Sequence, residues 1–314
     1  MTGVRVATRA SALARTQSQT IADLLTGIMG EPAELVEVRT HGDIDQSTPL
    51  AQLGGVGVFV GAVREAVVNG NADIAVHSLK DLPTAAADEL TIAAVPARAD
   101  AHDVLIARDG LTLETLPAGA RVGTGSPRRA CQIEAVRPDL DVVPVRGNVD
   151  TRIALVGQGV VDAVVLAKAG LERLGRLAEV SQTLGFDVML PAPGQGALAV
   201  ESRLINDDER LTSALAELDH PETRLAVTAE RALLAALEAG CSAPVGAYAT
   251  VADEAGVSML HLAGLLGVSE GTGYIRKSVT GFSADAEQLG RQLADELLYA
   301  MDSRTSRPVK GGAA

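Results

Sequence analysis

A strand–turn–helix phrase occurs twice in this chain, and that repetition constrains the fold more than any other feature. Near the N-terminus "VRVATR" (residues 4–9) leads into a helical run from about Ser11. The segment "ARVGTGSPRRA" (120–130) begins the same way, with Arg121, Val122 and Thr124 spaced as Arg5, Val6 and Thr8 are. Further on, "VVDAVVLAKAGL" (160–171) echoes "NADIAVHSLKDL" (71–82) in the same order. Two echoes in one order predict a duplicated unit. Within the first unit "AELVEVRT" reads as a second strand, and "GAVREAVVNG" as a helix closed by Gly70. "ADIAVHSL" is almost continuously apolar, as buried parallel strands are. Strands alternating with helices define an α/β unit.

The 314 residues exceed one ordinary core, so two or three domains are expected. The two α/β halves join near "AVPARADAH", and the Pro/Gly-rich "LPAPGQGALAVE" is a second crossing point. From about Pro221 the texture changes: the helix "PETRLAVTAERALLAALEA", hairpin-like pieces and a last helix, "AEQLGRQLADELLYAM", predict a smaller α+β domain. The expected partition is 1–96 with 197–216, then 97–196, then 217–314. The segment "HGDIDQSTPLAQLGGVGVF" (41–59) is long, polar and glycine-rich, the composition of a mobile lid.

A net charge of −13 disfavours general binding to nucleic acid or to a membrane surface, which calls for a basic footprint. Aromatic residues make up 2% with no Trp, so a base-stacking platform is not expected either. No stretch approaches the roughly 18 uninterrupted apolar residues of a membrane span, and the opening residues lack the apolar core of an export signal. A cytoplasmic location is the expectation. The histidines and the two cysteines show no metal-ligand spacing. "GVSEG" (267–271) matches G-x-S-x-G, but strand and turn follow it where a nucleophile elbow needs a helix.

The informative motifs sit at strand ends. In "GTGSPRRA", Ser126 suits an N-cap and Pro127 the first helical position. Arg128 and Arg129 then fall in the first helical turn and oppose the helix dipole, a cost unless an anion sits there. "VRGNVDTRIALV" is similar: Arg146 follows a strand, Arg152 enters the next helix, and Asn148 or Asp150 caps it. With Arg9 and Ser11, these residues put anion-binding groups at the carboxyl ends of strands in both halves, the edge where open α/β sheets bind ligands. Alone, each arginine is also compatible with a solvated surface; the set together is not so easily read that way. "HSLKDLP" ends another strand with Lys80 and Asp81, either a surface ion pair or a carboxylate able to move protons or stabilise a cation. His77 reads as a packed histidine. So do two cysteine positions at first sight: Cys131 within a helix, and Cys241 in the small-residue loop "EAGCSAPVGA".

Taken in order, "HSLKDLP", "VGTGSPRR", "RGNVDTR", "LAKAGLERLG", "PAPGQGALAVE" and "AERALLAALEAGCSAPVG" closely resemble the hydroxymethylbilane synthase (porphobilinogen deaminase) family, from about Val4 to the final helix. The resemblance implies two α/β domains like type II periplasmic binding proteins, with the active site between them, and a smaller α+β domain carrying the cofactor cysteine. It implies a transferase of tetrapyrrole (haem, porphyrin) biosynthesis that condenses four porphobilinogen molecules, releasing ammonia each time, into linear hydroxymethylbilane. The primer would be a dipyrromethane cofactor bound by a thioether to Cys241. The family's catalytic carboxylate falls on Asp81. Cofactor binding falls on Lys80, Ser126, Arg128, Arg129, Arg146 and Gly147, and substrate binding on Arg9, Ser11, Thr124, Arg152, Arg173 and Gln195. No metal is implied, and the family suggests a monomer.

The sequence departs from the family in places. Val56 and Gly61 stand where many relatives have lysines, so the lid need not supply positive charge. Ala239 and Ala243 flank the cysteine where other small or aliphatic residues are usual, and His102 stands where an arginine is frequent. The competing reading is a two-lobed solute- or effector-binding protein that holds a small anion without chemistry; a third domain bearing Cys241 counts against it.

Overall fold

The computed structural model describes residues 3–38, 57–237, 244–268 and 273–305. Strand β1 (Arg5–Arg9), helix α1 (Ala12–Met29), β2 (Glu34–Val38), α2 (Gly57–Val68), β3 (Ile74–Ser78) and β4 (Leu90–Ala94) open the chain. Then come β5 (Asp103–Ala107), β6 (Arg121–Gly123), α3 (Pro127–Val136), β7 (Asp141–Val143), α4 (Val149–Gly157), β8 (Ala163–Ala167), α5 (Lys168–Arg173) and β9 (Gln182–Leu184). The chain returns with β10 (Leu198–Arg203) and continues through α6 (Glu209–Leu218), α7 (Pro221–Ala236), β11 (Val245–Glu254), β12 (Val257–Gly267), β13 (Tyr274–Phe282) and α8 (Ala286–Thr305).

The duplicated unit is visible in the sheets. One has the order β2-β1-β3-β10-β4 and the other β7-β6-β8-β5-β9. In each, the first three strands are parallel and the fourth runs antiparallel to its neighbours. The echoed residues make the same bonds twice. The Arg5 backbone N–H donates to Asp73 Oδ2 at 2.8 Å while Asp73 N–H donates back to the Arg5 carbonyl. Arg121 and Asp162 repeat that exchange at 2.7 Å. Repetition in sequence is therefore repetition of a strand-pairing device, and the two α/β sheets expected from it are present.

Helix α1 buries Ile21, Ala22 and Leu25 against Val6, Ile74 and Val200, the period of a helix with one apolar face. Ser11 caps it, its side chain accepting the Ala14 N–H. Helix α2 starts at Gly57, earlier than the sequence suggested, so the end of the segment read as a lid is helical and Gly61 lies within α2. Val60, Val63 and Val67 are buried at helical spacing, which continues the apolar stripe into that region. Val56 and the rest of that segment fall outside the described residues.

The third sheet, β11-β12-β13, is antiparallel and is covered by α7 and α8, with Leu233, Leu260, Leu262, Leu293 and Leu297 fully buried between them. Residues 269–271 of "GVSEG" lie outside the described residues, but the next described element is β13, paired with β12, so strand and not the helix of a nucleophile elbow follows the motif. Among the described residues, no helix is long and apolar enough to cross a membrane.

Two connections cross between the first two sheets, 95–102 and 191–197, and they touch. Ala99 N–H donates to the Gly196 carbonyl at 3.3 Å. Gly196 has φ +88°, and a Cβ there would lie 2.5 Å from the Ala99 carbonyl oxygen, so only glycine allows this approach. Glu230 of α7, fully buried, locks the third unit onto both crossings. Its carboxylate accepts from both Nη atoms of Arg98, from Gly194 N–H and from Ala249 N–H. Arg98 also lies over the Tyr248 ring, which meets Phe186, on which His102 stacks at 3.9 Å.

Candidate active site

Asp81 ends a single turn of 3-10 helix, Leu79–Asp81, that continues β3. The turn is held from behind. Leu79 N–H donates to the Ala197 carbonyl at 3.0 Å, and Arg231 of α7 donates to the carbonyls of Leu82 and Pro83 at 3.2 and 2.7 Å. Asp81 itself is exposed, and Lys80 is half-buried beside it. Burial lowers the Lys80 pKa; Asp81 and Asp103 oppose that shift, whereas Arg129 and Arg128 add to it. Lys80, from the first sheet, thus stands in the electrostatic field of arginines carried by the second.

Those arginines come from α3. Thr124, buried, follows β6 and accepts the Ser126 N–H through its Oγ1 at 3.2 Å. Ser126 occupies the N-cap position, as its sequence context suggested, but its side chain makes no capping bond. Its carbonyl takes the Arg129 and Ala130 N–H groups instead. Pro127 at the first helical position fixes the entry to the helix, so the cap is dispensable and the hydroxyl stays available.

Arg128 and Arg129 are both buried and share one partner that the sequence analysis did not single out. Asp103, the first residue of β5, is fully buried. Arg128 Nη1 donates to its Oδ2 at 2.8 Å, and Arg129 Nη2 and Nε donate to its Oδ1 at 2.7 and 3.1 Å. Gln195 Nε2 donates to the same Oδ1 at 2.9 Å. Burial alone would raise the Asp103 pKa, but the two guanidinium groups hold it well below the usual carboxylate range. The only sequence trace of this role is a charged residue at the head of "DVLIA", otherwise a wholly apolar strand. Gln17, buried on α1, was also not singled out; it donates to Ser78 Oγ at 2.7 Å, just ahead of the Asp81 turn.

Arg146 and Gly147 follow β7 and are exposed. Gly147 has φ +107°, and a Cβ there would sit 2.7 Å from Thr151 Cγ2, so this turn requires glycine. Of the two caps the sequence left open, Asn148 is the one used: it accepts the Thr151 N–H at 2.8 Å, while Asp150 pairs with Arg176. Arg152, half-buried on α4, has its pKa lowered by burial and by repulsion from Arg129, and its buried Nε makes no hydrogen bond. Arg173, on α5, donates to the Gly196 carbonyl at 2.7 Å and is likewise lowered by burial. Arg9 and Ser11 stand at the end of β1 and the start of α1.

Lys80, Asp81, Arg128, Arg129 and Arg152 are therefore brought within electrostatic reach of one another, with Gln195 joined to them through Asp103. Cys241, and with it Ala239 and Ala243, lies outside the described residues. In sequence it falls between α7 and β11. His77 is a packed residue with Nε2 3.1 Å from Glu201, and Cys131 is a buried thiol pushed up to about 11 by burial. His102, where an arginine is frequent, pairs with Asp100 at 2.5 Å.

Burial penalises the charged form of Lys80, Arg128, Arg152 and Arg173. Asp103 answers part of that penalty. The buried Nε atoms of Arg128 and Arg152 still lack acceptors, and Gln195 Oε1 lacks a donor. Buried donors without acceptors are costly, and a ligand carboxylate supplies what they lack. The donor set thus fits a polycarboxylate such as a dipyrrole bearing acetate and propionate groups.

The two sheets define an α/β protein whose cationic side chains gather past the carboxyl ends of its parallel strands, the edge where such sheets bind ligands. Comparison with known proteins is more specific. Residues 4–213 match the family description "Porphobilinogen deaminase, dipyromethane cofactor binding domain", and residues 224–299 match "Porphobilinogen deaminase, C-terminal domain". Porphobilinogen deaminase 1 of Streptomyces avermitilis is 54% identical over 309 residues, covering 94% of each chain. Porphobilinogen deaminase of Mycobacterium tuberculosis is 53% identical over 300 residues, covering 94% of this chain and 95% of that one. Among solved structures, the second substrate binding domain of a putative amino acid ABC transporter from Streptococcus pneumoniae aligns with TM-score 0.42 at 14% identity, over 69% of this chain and 93% of that one. The chain belongs to the porphobilinogen deaminase family.

Proposed function

We propose that the cleft between the two α/β units carries out the family's reaction, with Asp81 as the catalytic carboxylate. The activity is a transferase reaction of tetrapyrrole biosynthesis: four porphobilinogen molecules are condensed head to tail into hydroxymethylbilane, with ammonia released at each addition. The dipyrromethane supplies the pyrrole carbon onto which the first unit is added. Its anchor is Cys241, and its carboxylates are held by Lys80, Ser126, Arg128, Arg129, Arg146 and Gly147. Arg9, Ser11, Thr124, Arg152, Arg173 and Gln195 face the carboxylates of incoming substrate.

The observation that carries this reading is one exposed carboxylate, Asp81, beside Lys80, a cation penalised by burial that also feels Arg128 and Arg129 of the second sheet's helix. Each pyrrole brings an acetate and a propionate, so guanidinium forks orient the substrate. The departing group is ammonia, which leaves positive charge on the substrate's methylene carbon. Asp81 faces that charge and lowers the barrier to its formation. When the new carbon–carbon bond forms, the pyrrole carbon loses a proton, and Asp81 is the group placed to accept or relay it. Arg231, gripping the carbonyls of Leu82 and Pro83, holds in place the turn that carries the carboxylate.

The partition 1–96 with 197–216, 97–196 and 217–314 belongs to the same proposal. So do a monomeric state, a cytoplasmic location and the absence of a nucleic-acid or membrane partner. The net charge of −13 supports the last of these. Asp81→Ala tests the assignment. The variant is expected to keep its attached pyrroles and to lose turnover by about 10²–10⁴-fold, the usual size of a general acid–base contribution. Near-normal consumption of porphobilinogen would remove Asp81 from the mechanism.

A further inference from the structure

Arg128 and Arg129 in the first turn of a helix call for an anion, and the protein supplies one itself. Asp103 reaches them from a different element, the head of β5, and is fully buried. It accepts three bonds from the two guanidinium groups and a fourth from Gln195. Carbonyl acceptors complete the clamp: Arg128 Nη1 also donates to Leu190 at 2.6 Å and Arg129 Nη1 to Val165 at 2.9 Å. Both guanidinium planes are thus fixed before any ligand arrives.

The clamp does not exhaust them. A guanidinium offers five N–H donors; Arg128 spends only Nη1 in these bonds, and its buried Nε has no acceptor. A ligand carboxylate meets two arginines that are oriented, partly neutralised and still able to donate. The charge of Asp103 also reaches Lys80, where it offsets Arg128 and Arg129 alongside Asp81.

We propose that Asp103 is a resident carboxylate that shares Arg128 and Arg129 with the carboxylates of the ligand and so limits how tightly the cleft holds the growing chain. The identity of that chain rests on the function proposed above; the sharing of charge does not. Every addition brings two more carboxylates into one cleft. Against unshielded arginines the grip would tighten with each round, and binding that holds bound states and transition state alike does not raise kcat. A fixed negative charge behind the arginines subtracts a constant amount from that grip. Asp103 is thus a positioning residue, acting through the arginines rather than on the reacting atoms.

The test uses full-length protein carrying Cys241→Ser, which removes the attachment point for pyrroles, with and without Asp103→Asn. Citrate is the polycarboxylate probe, titrated calorimetrically. The expected result is citrate binding at least about fivefold tighter in D103N at low salt, the gain shrinking as salt is added. In the chain that retains Cys241, D103N is expected to lower kcat at least about tenfold without raising KM. Protein-bound species heavier than the resting protein should accumulate during turnover. Equal or weaker citrate binding overturns the proposal, as does a raised KM with unchanged kcat, because a purely structural carboxylate would give those results. Asp103→Ser, which leaves room for water beside the guanidinium groups, must show the same tightening. If neither variant folds, Asp103 is a structural partner only and the proposal fails. If the unsubstituted protein consumes no porphobilinogen, the functional reading fails instead, while the citrate comparison still decides the role of Asp103.

Discussion

Substituting Glu230 by glutamine perturbs the joint between the cysteine-bearing unit and the two crossings at a single atom. Each carboxylate oxygen takes one arginine and one backbone donor: Oε1 accepts Arg98 Nη1 at 2.6 Å and Ala249 N–H at 2.8 Å, and Oε2 accepts Arg98 Nη2 at 3.0 Å and Gly194 N–H at 2.6 Å. A glutamine must turn its NH2 toward one of these sides, so two donors face a donor whichever way the amide lies. Glu230 is fully buried and the Arg98 side chain is 10% exposed, so the pair is largely shielded from solvent. Removing one partner of a buried ion pair costs about 3–5 kcal/mol. Unfolding entropy near 60 °C is about 2.1 cal/mol/K per residue, which over 314 residues is roughly 0.66 kcal/mol/K. The expected fall in Tm is therefore about 5–8 °C. Calorimetry of E230Q beside E287Q is the assay. Glu287 pairs with Arg291 one turn away on exposed helix, so its loss is worth less than about 0.5 kcal/mol and under 1 °C. An E230Q protein within 1 °C of wild type, or an E287Q protein equally affected, would refute the reasoning that this joint holds the third unit in place.

Two further outcomes follow from the geometry. Glu201 is buried between His77 and Arg64, and although burial pushes its pKa up, these partners bring it down to about 2 from an ordinary 4.5. A folded-state pKa below the unfolded one contributes stability above about pH 4.5 that is lost as the pH falls toward 2, roughly 3 kcal/mol in all. Urea midpoints measured between pH 5 and pH 2 should fall less steeply in Glu201→Gln than in wild type; parallel slopes would show that Glu201 is not the acid-labile group. Gly147→Ala places a Cβ 2.7 Å from Thr151 Cγ2 at φ +107°, a cost of about 1–3 kcal/mol that also displaces Arg146. A raised KM for porphobilinogen together with a lowered Tm is expected, and an unchanged KM would separate this turn from substrate binding.

Much of the architecture was legible because it is local or repeated. The matched Arg-Val-x-Thr phrases identify β1 and β6, the sequence narrowed the cap of α4 to Asn148 or Asp150, of which Asn148 is used, and Pro127 starts α3 where its ring permits. What escaped is what depends on distant partners. Asp103 lies 25 residues from Arg128, on another strand, and nothing in "AHDVLIA" reveals which cations it will face. Glu230 sits within an ordinary amphipathic helix, and only packing shows that its carboxylate closes on Arg98, 132 residues away. The beginning of α2 was misplaced because glycine content suggested a loop, whereas the apolar stripe of Val60, Val63 and Val67 needed a helix to bury it. Ser126 looked like a cap by residue type, yet its hydroxyl makes no capping bond.

The central claim is that a thioether at Cys241 carries a dipyrrole into a cleft built for its carboxylates. The most direct measurement is the intact mass of the purified protein, compared with Cys241→Ser. The account predicts wild-type protein heavier than its sequence by one dipyrromethane, and a Cys241→Ser protein at bare sequence mass that forms no hydroxymethylbilane. Active wild-type protein at bare sequence mass would contradict it.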